Sequence, residues 1–251
     1  MIKADGAGRP LFFICEAYRP TAAHRVEAVN DRGVCTVQTN WHENRMTLHG
    51  RVDGEPVVSH MNHGETYYIA PMLVSRLSGT EDRLNLVLSE ELLRQTPLRV
   101  GDEVSVWGEV RSFNNKTGIG SKLVITVFVR EIRCEQAEDE NRLTAAGTLC
   151  KVPIYRRTPL GREICDLMLA VNRRYGRTDY LPCIAWGSLA YRCGNLEVGD
   201  AIAIEGRLQS RTYTKHLGEE TQERTAFEVS IMSMDMLGQP AFLRELNLNN
   251  N

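Results

Sequence analysis

The chain has 251 residues, 42% of them hydrophobic and 25% charged, and a formal net charge of −2. This length and mix suit one or two globular domains. They exclude a uniformly basic protein held to a polyanion by its overall field, so such a partner must be met by a local patch.

In chain order, residues 1–42 come first and match nothing later in the chain; they read as an appended segment. The apolar run "LFFIC" at 11–15 is too short for a secretory core and is closed at once by Glu16. From Glu43 the chain reads "ENRMTLHGRV", and from Glu140 "ENRLTAAGTL"; "LRVGDEVSVWGEVRS" from Leu98 returns as "LEVGDAIAIEGRLQS" from Leu196. The offsets are 97 and 98 residues, and two anchors in matched order argue for a duplicated unit. The first copy, 43–133, predicts strands over 46–52, 67–74 and 84–88, a helix around 89–95, and strands over 103–111 and 122–132. The acidic stretch 134–140 is a linker. The second copy, 141–238, predicts strands over 144–152, 164–173 and 180–187, a helix over 188–193 stopped by Gly194-Asn195, then a strand from Val198 and a last one over 225–237. Residues 239–251 form a low-complexity tail. Five strands with a helix between the third and fourth make an all-β chain of two tandem OB-folds, each a five-stranded Greek-key barrel.

The stretch "VGDAIAIEGRLQSRTYTK" from Val198 carries the functional signal. Side chains alternate along a strand. Ile202, Ile204, Gly206 and Leu208 therefore face a barrel interior, and Glu205, Arg207, Gln209, Arg211, Tyr213 and Lys215 face outward. An outward ring among cations suits unpaired polynucleotide, with bases on the ring and phosphates on the arginines. Between Lys151 and Arg177 lie seven basic residues, Arg156 and Arg157 among them, against only Glu163 and Asp166. Tyr155, Tyr175 and Tyr180 are interleaved with these cations, and Trp186 follows. In the first copy Asn115 stands at the Tyr213 position, and Phe113, two residues earlier with the same parity, substitutes for it. The first copy thus lacks most of the ring platform and reads mainly as a builder of the assembly.

The second copy resembles the bacterial single-stranded DNA-binding proteins. The resemblance rests on "NRLTAAGTLCKVPIYRRTPLGREICDLMLAVNRRY", "TDYLPCIAWGSLAY", "GRLQSRTYT" and "FEVSIMSMDMLG" in that order. It implies base stacking on Tyr175, Tyr180, Trp186 and Tyr213, and phosphate contacts at Arg173, Arg174, Arg207 and Arg211. It also implies single-stranded DNA as partner, with RNA an open alternative, and a homo-oligomer in which a dimer brings four OB units around one strand. The end "LRELNLNNN" lacks the family's acidic tail with a hydrophobic tip. The stretch "NRLTAAGTLCKVPIYRRTPLGREIC" is also similar to the opening of the OB-type primosomal replication protein, which would make the chain an accessory in helicase loading. A protein-only OB interaction module is the third reading.

No catalytic set, metal site or cofactor is expected. His60 and His63 stand as H-M-N-H without acidic or Cys partners and read as a hairpin loop. "GAGRP" lacks the ending of a phosphate loop, and Asp102 and Asp200 follow Gly as turn residues. The seven cysteines are irregularly spaced with no C-x-x-C pair and read as reduced, packed thiols of a cytoplasmic protein. No run approaches the roughly 18 apolar residues of a membrane span.

Overall fold

The computed structural model describes residues 43–115, 123–173, 176–217 and 220–237, which all fall in one compact unit. The expectations for 1–42, Arg174, Tyr175 and the tail 239–251 lie outside the described residues, as does the side chain of Lys215. The first barrel is built from β1 (Asn44–Val52), β2 (Val57–Asn62), β3 (Glu65–Ser75), β4 (Glu81–Ser89), α1 (Glu90–Gln95), β5 (Glu103–Asn114) and β6 (Leu123–Cys134). The second repeats the series as β7 (Glu140–Leu149), β8 (Ile154–Arg157), β9 (Glu163–Asn172), β10 (Thr178–Trp186), α2 (Ser188–Gly194), β11 (Ala201–Leu217) and β12 (Glu220–Met236).

Each barrel closes on five strands. In the first, β1 pairs with β5, β5 with β6, β6 in parallel with β4, β4 with β3, and β3 returns to β1. The second closes identically through β7, β11, β12, β10 and β9. This circuit, with its one parallel contact and a helix before the fourth barrel strand, is the OB-fold. The strands β2 and β8 are additional, and they form the two outer edges of a continuous 12-stranded sheet. Their residues are exposed throughout, so no apolar alternation announces them.

Alternation sets the interiors. Met46, Leu48, Met72, Leu84 and Leu86 fill one barrel, and Leu143, Leu149, Leu169, Leu181, Ile202 and Ile204 fill the other, all fully buried. Burying each such side chain contributes roughly 1.5–3 kcal/mol. Both barrels carry a β-bulge at the same place, between Trp107 and Gly108 and between Glu205 and Gly206. There a Cβ on Gly108 would lie 2.3 Å from the Phe128 carbonyl oxygen, and one on Gly206 2.4 Å from that of Ser230. Only glycine permits that approach. Asp102 and Asp200 close their turns by accepting the amides of Arg99 and Glu197.

The barrels join edge to edge, β1 against β7, in an antiparallel ladder from Asn44↔Ala145 to His49↔Glu140. Met46 and Leu143, equivalent positions of the two copies, face each other in it, so a pseudo-two-fold axis runs through that pair. Two further contacts obey this axis. In one, Asp82 takes a bidentate ion pair from Arg76 and accepts the Ser210 amide at 2.8 Å, while the Arg83 amide donates to Ser210 Oγ at 2.9 Å. In the other, Asp179 pairs with Arg173 and accepts the Ser112 amide at 2.5 Å, while the Tyr180 amide donates to Ser112 Oγ at 2.7 Å. Both carboxylates are fully buried. A buried carboxylate needs such partners, because desolvation alone would penalise it heavily.

Candidate nucleic-acid interface

The outer face of the second barrel is read from its ladder. Ile184 on β10 pairs with Ser230 on β12, and Ser230 with Arg207 on β11. Every second residue from these points the same way. The face therefore carries Tyr180 and Trp186 on β10 and Arg207, Gln209, Arg211 and Tyr213 on β11. The rings are accessible: Tyr180 is 47%, Trp186 41% and Tyr213 40% exposed. Each ring is thus part exposed and part packed against the sheet.

The cations divide into three groups. Arg211 is exposed and has no acidic partner among the described residues. Arg207 is half-buried, and its Nε is out of solvent without a hydrogen-bond partner. Neither has an ion-pair partner among the described residues. Arg156 and Arg157 instead make exposed ion pairs, to Asp166 at 2.9 Å and Glu163 at 3.0 Å. Pairs of that kind contribute about 0–1 kcal/mol, so a phosphate can compete for either arginine. The Tyr155 hydroxyl hydrogen-bonds Glu163, which raises its pKa. Arg173 stands apart, because its charge is neutralised inside the interbarrel contact by buried Asp179. Gln209, expected outward, is covered by its bond to Glu228 at 2.8 Å.

The first barrel presents the equivalent face with different chemistry. Glu109 stands where the second barrel has Arg207, each directly after the bulge glycine. Glu109 binds both Arg111 and Arg130. Arg130 also lies 4.8 Å from the centre of the Phe128 ring, and Phe128 contacts Tyr67, which stacks on His60 at 5.1 Å and 9°. The first copy thus carries aromatic residues on this face after all, at positions where the second has none. They are occupied with one another and with Arg130. Position-by-position comparison of the copies missed them for that reason. Phe113 is the exception, 51% exposed and outward on β5. Trp107 is covered by Arg133, at 5.1 Å from its ring. His60 lies on β2 and His63 in the turn that follows.

Residues 140–237, the whole of the second barrel, match the model of the single-strand binding protein family. The second barrel belongs to the single-strand binding protein family. Single-stranded DNA-binding protein A of Bacillus subtilis is 34% identical over 86 residues, 32% of this chain and 50% of that one. Single-stranded DNA-binding protein 2 of Chlorobaculum tepidum is 29% identical over 109 residues, 39% of this chain and 72% of that one. The chain thus spans about half the length of the first and less than three quarters of the second. Among solved structures, the wild-type single-stranded DNA binding protein from Thermus aquaticus superposes with a TM-score of 0.64 at 21% identity, over 78% of this chain and 93% of that one. That superposition reaches beyond one barrel and supports the tandem arrangement of the fold.

Proposed function

We propose that the chain binds single-stranded DNA with little sequence preference and catalyses no reaction. One observation carries this reading: three half-exposed rings, Tyr180, Trp186 and Tyr213, share an outer sheet face with Arg207 and Arg211, which have no acidic partner among the described residues. Rings accept any base, because every base has a π-face, and guanidinium groups neutralise the backbone between them. Arg156 and Arg157 serve as secondary phosphate contacts; Tyr175 and Arg174 join the set from the family resemblance, and Lys215 from the alternation of its strand. The same chemistry takes RNA, so an oligo-U arm belongs in the test. Arg173 is assigned to the interbarrel contact and not to phosphate.

In this reading the units are 43–133 and 141–238, joined by 134–140, and the second is the principal binder. Two chains associate through a two-fold axis to present four barrels. The family match and the bacterial relatives support a cytoplasmic protein of DNA metabolism. The test is anisotropy of a labelled oligo-dT titrated with wild-type protein and with Arg207→Gln/Arg211→Gln, beside light scattering. Saturable binding that the double substitution weakens, and a mass near twice 28.3 kDa, are expected. Absence of binding, or a monomer, contradicts the corresponding half of the reading.

A further inference from the structure

The pseudo-two-fold axis produces two seams between the barrels, and their outward chemistry differs. At each seam a buried aspartate and a serine hold the backbones together, and the residue after each points outward. At the Asp82–Ser210 seam those residues are Arg83 and Arg211. At the Asp179–Ser112 seam they are Tyr180 and Phe113. One seam is therefore flanked by two cations and the other by two rings. The difference goes further. Arg83 is tied to Asp53 at 2.6 Å, whereas both rings at the other seam are about half exposed.

We infer that a single strand passes from the second barrel to the first across the ring seam, with bases carried from Tyr180 to Phe113. This rests on the binding reading above and adds a path to it. The amide and hydroxyl of Ser112 bond directly to Asp179 and to the backbone of Tyr180, so Phe113 follows a residue in contact with the Tyr180 backbone. The two rings thus flank one backbone contact between the barrels. Beyond Phe113 on the first barrel, the same face of β5 offers Arg111, which reaches Asp179 at 3.5 Å and so belongs to the seam. Phe113 is then a bridging contact. It adds nothing for a strand short enough to stay on the second barrel.

Length of the oligonucleotide tests this. An oligo-dT of about 8 nucleotides fits one OB unit and one of about 30 must extend past it. In the full chain, Phe113→Ala is expected to weaken the long oligonucleotide by roughly 5- to 150-fold, the equivalent of one lost base stack, and to leave the short one within about two-fold. Phe113→Tyr, which keeps a ring, should restore the long-strand affinity. Trp186→Ala should weaken both lengths; if it weakens neither, the binding reading itself fails and the path falls with it. If Trp186→Ala behaves as stated but Phe113→Ala affects both lengths equally, or neither, the ring seam is not the crossing. Selective loss of the long strand on Arg83→Gln, with Phe113→Ala silent, would put the crossing at the cationic seam and overturn the proposal.

Discussion

Glu109 and Arg207 occupy the same position in the two barrels and carry opposite charge. Each follows a bulge glycine on the fourth strand of its barrel and pairs across to the fifth. Glu109 holds Arg111 and Arg130 in local ion pairs, while Arg207 has a buried Nε with no partner. One reversal of charge places a carboxylate between two arginines on one face and an arginine at the same position on the other. If that position sets the division of labour, Glu109→Gln should release the exposed Arg130, while Arg111 stays with Asp179, and raise affinity for single-stranded DNA. Arg207→Gln should lower it and flatten the plot of log K against log salt by about 0.7, the share of one phosphate on a single strand. Titrations at four or five salt concentrations read both slopes.

Trp186 and Tyr213 stand on β10 and β11 with their rings half exposed. Truncation of a half-exposed ring removes stacking and part of its packing. Trp186→Ala and Tyr213→Ala should each weaken binding of oligo-dT by roughly 1–3 kcal/mol, with a modest loss of thermal stability and the fold retained. Equilibrium binding and a melting curve on the same samples separate the two effects.

Arg173 should behave in the opposite way. Its guanidinium is held by Asp179, and it donates to the Ser112 carbonyl at 3.3 Å across the seam. Removing it leaves a buried carboxylate short of its main counter-charge, a defect that typically costs about 3–5 kcal/mol. Arg111, at 3.5 Å from Asp179, offsets part of this, so Arg173→Ala belongs at the lower end of that range. Urea unfolding should show the loss, and the salt slope of DNA binding should not change.

Cys165, Cys183 and Cys193 are buried in the second barrel, and burial raises all three thiols, Cys165 to about 11. A raised thiol pKa keeps the group protonated and unreactive at neutral pH. In native protein at pH 7.5 these three should resist an aromatic disulfide reagent and react only after unfolding. Peptide mapping of labelled cysteines identifies them.

The fold was legible because the chain says the same thing twice. The Gly-Asp turns, the paired "ENR" openings and the alternation of Ile202, Ile204 and Leu208 all survive in the structure, and both helices lie where the sequence places them, the second ending at its Gly194-Asn195 stop. The edge strands β2 and β8 were not legible, since a strand with neither face buried has no hydrophobic period. Among site residues, the outward placement of Tyr213 follows from parity along its strand, whereas that of Tyr180 and Trp186 needs the register of β10 against β12 and β11. The pairing state of a cation does not follow from parity. Arg173 and Arg207 look alike in sequence, yet one meets a carboxylate across a hairpin and the other meets none among the described residues. A signal for the first was present: Arg76 and Asp82 recur as Arg173 and Asp179 at the repeat offset, as a conserved structural pair within the duplication would. The covering of Gln209 by Glu228 and the His60–Tyr67–Phe128 cluster depend on register between distant strands, which single-strand alternation does not supply.

The most direct measurement is titration of intrinsic tryptophan fluorescence with oligo-dT, in wild-type protein and in Trp186→Phe, at several salt concentrations. Stacking of bases on Trp186 predicts saturable quenching in the wild type, its loss or sharp reduction in Trp186→Phe, and affinity that falls steeply with salt. Unchanged fluorescence at saturation, or quenching that survives Trp186→Phe undiminished, would contradict the account.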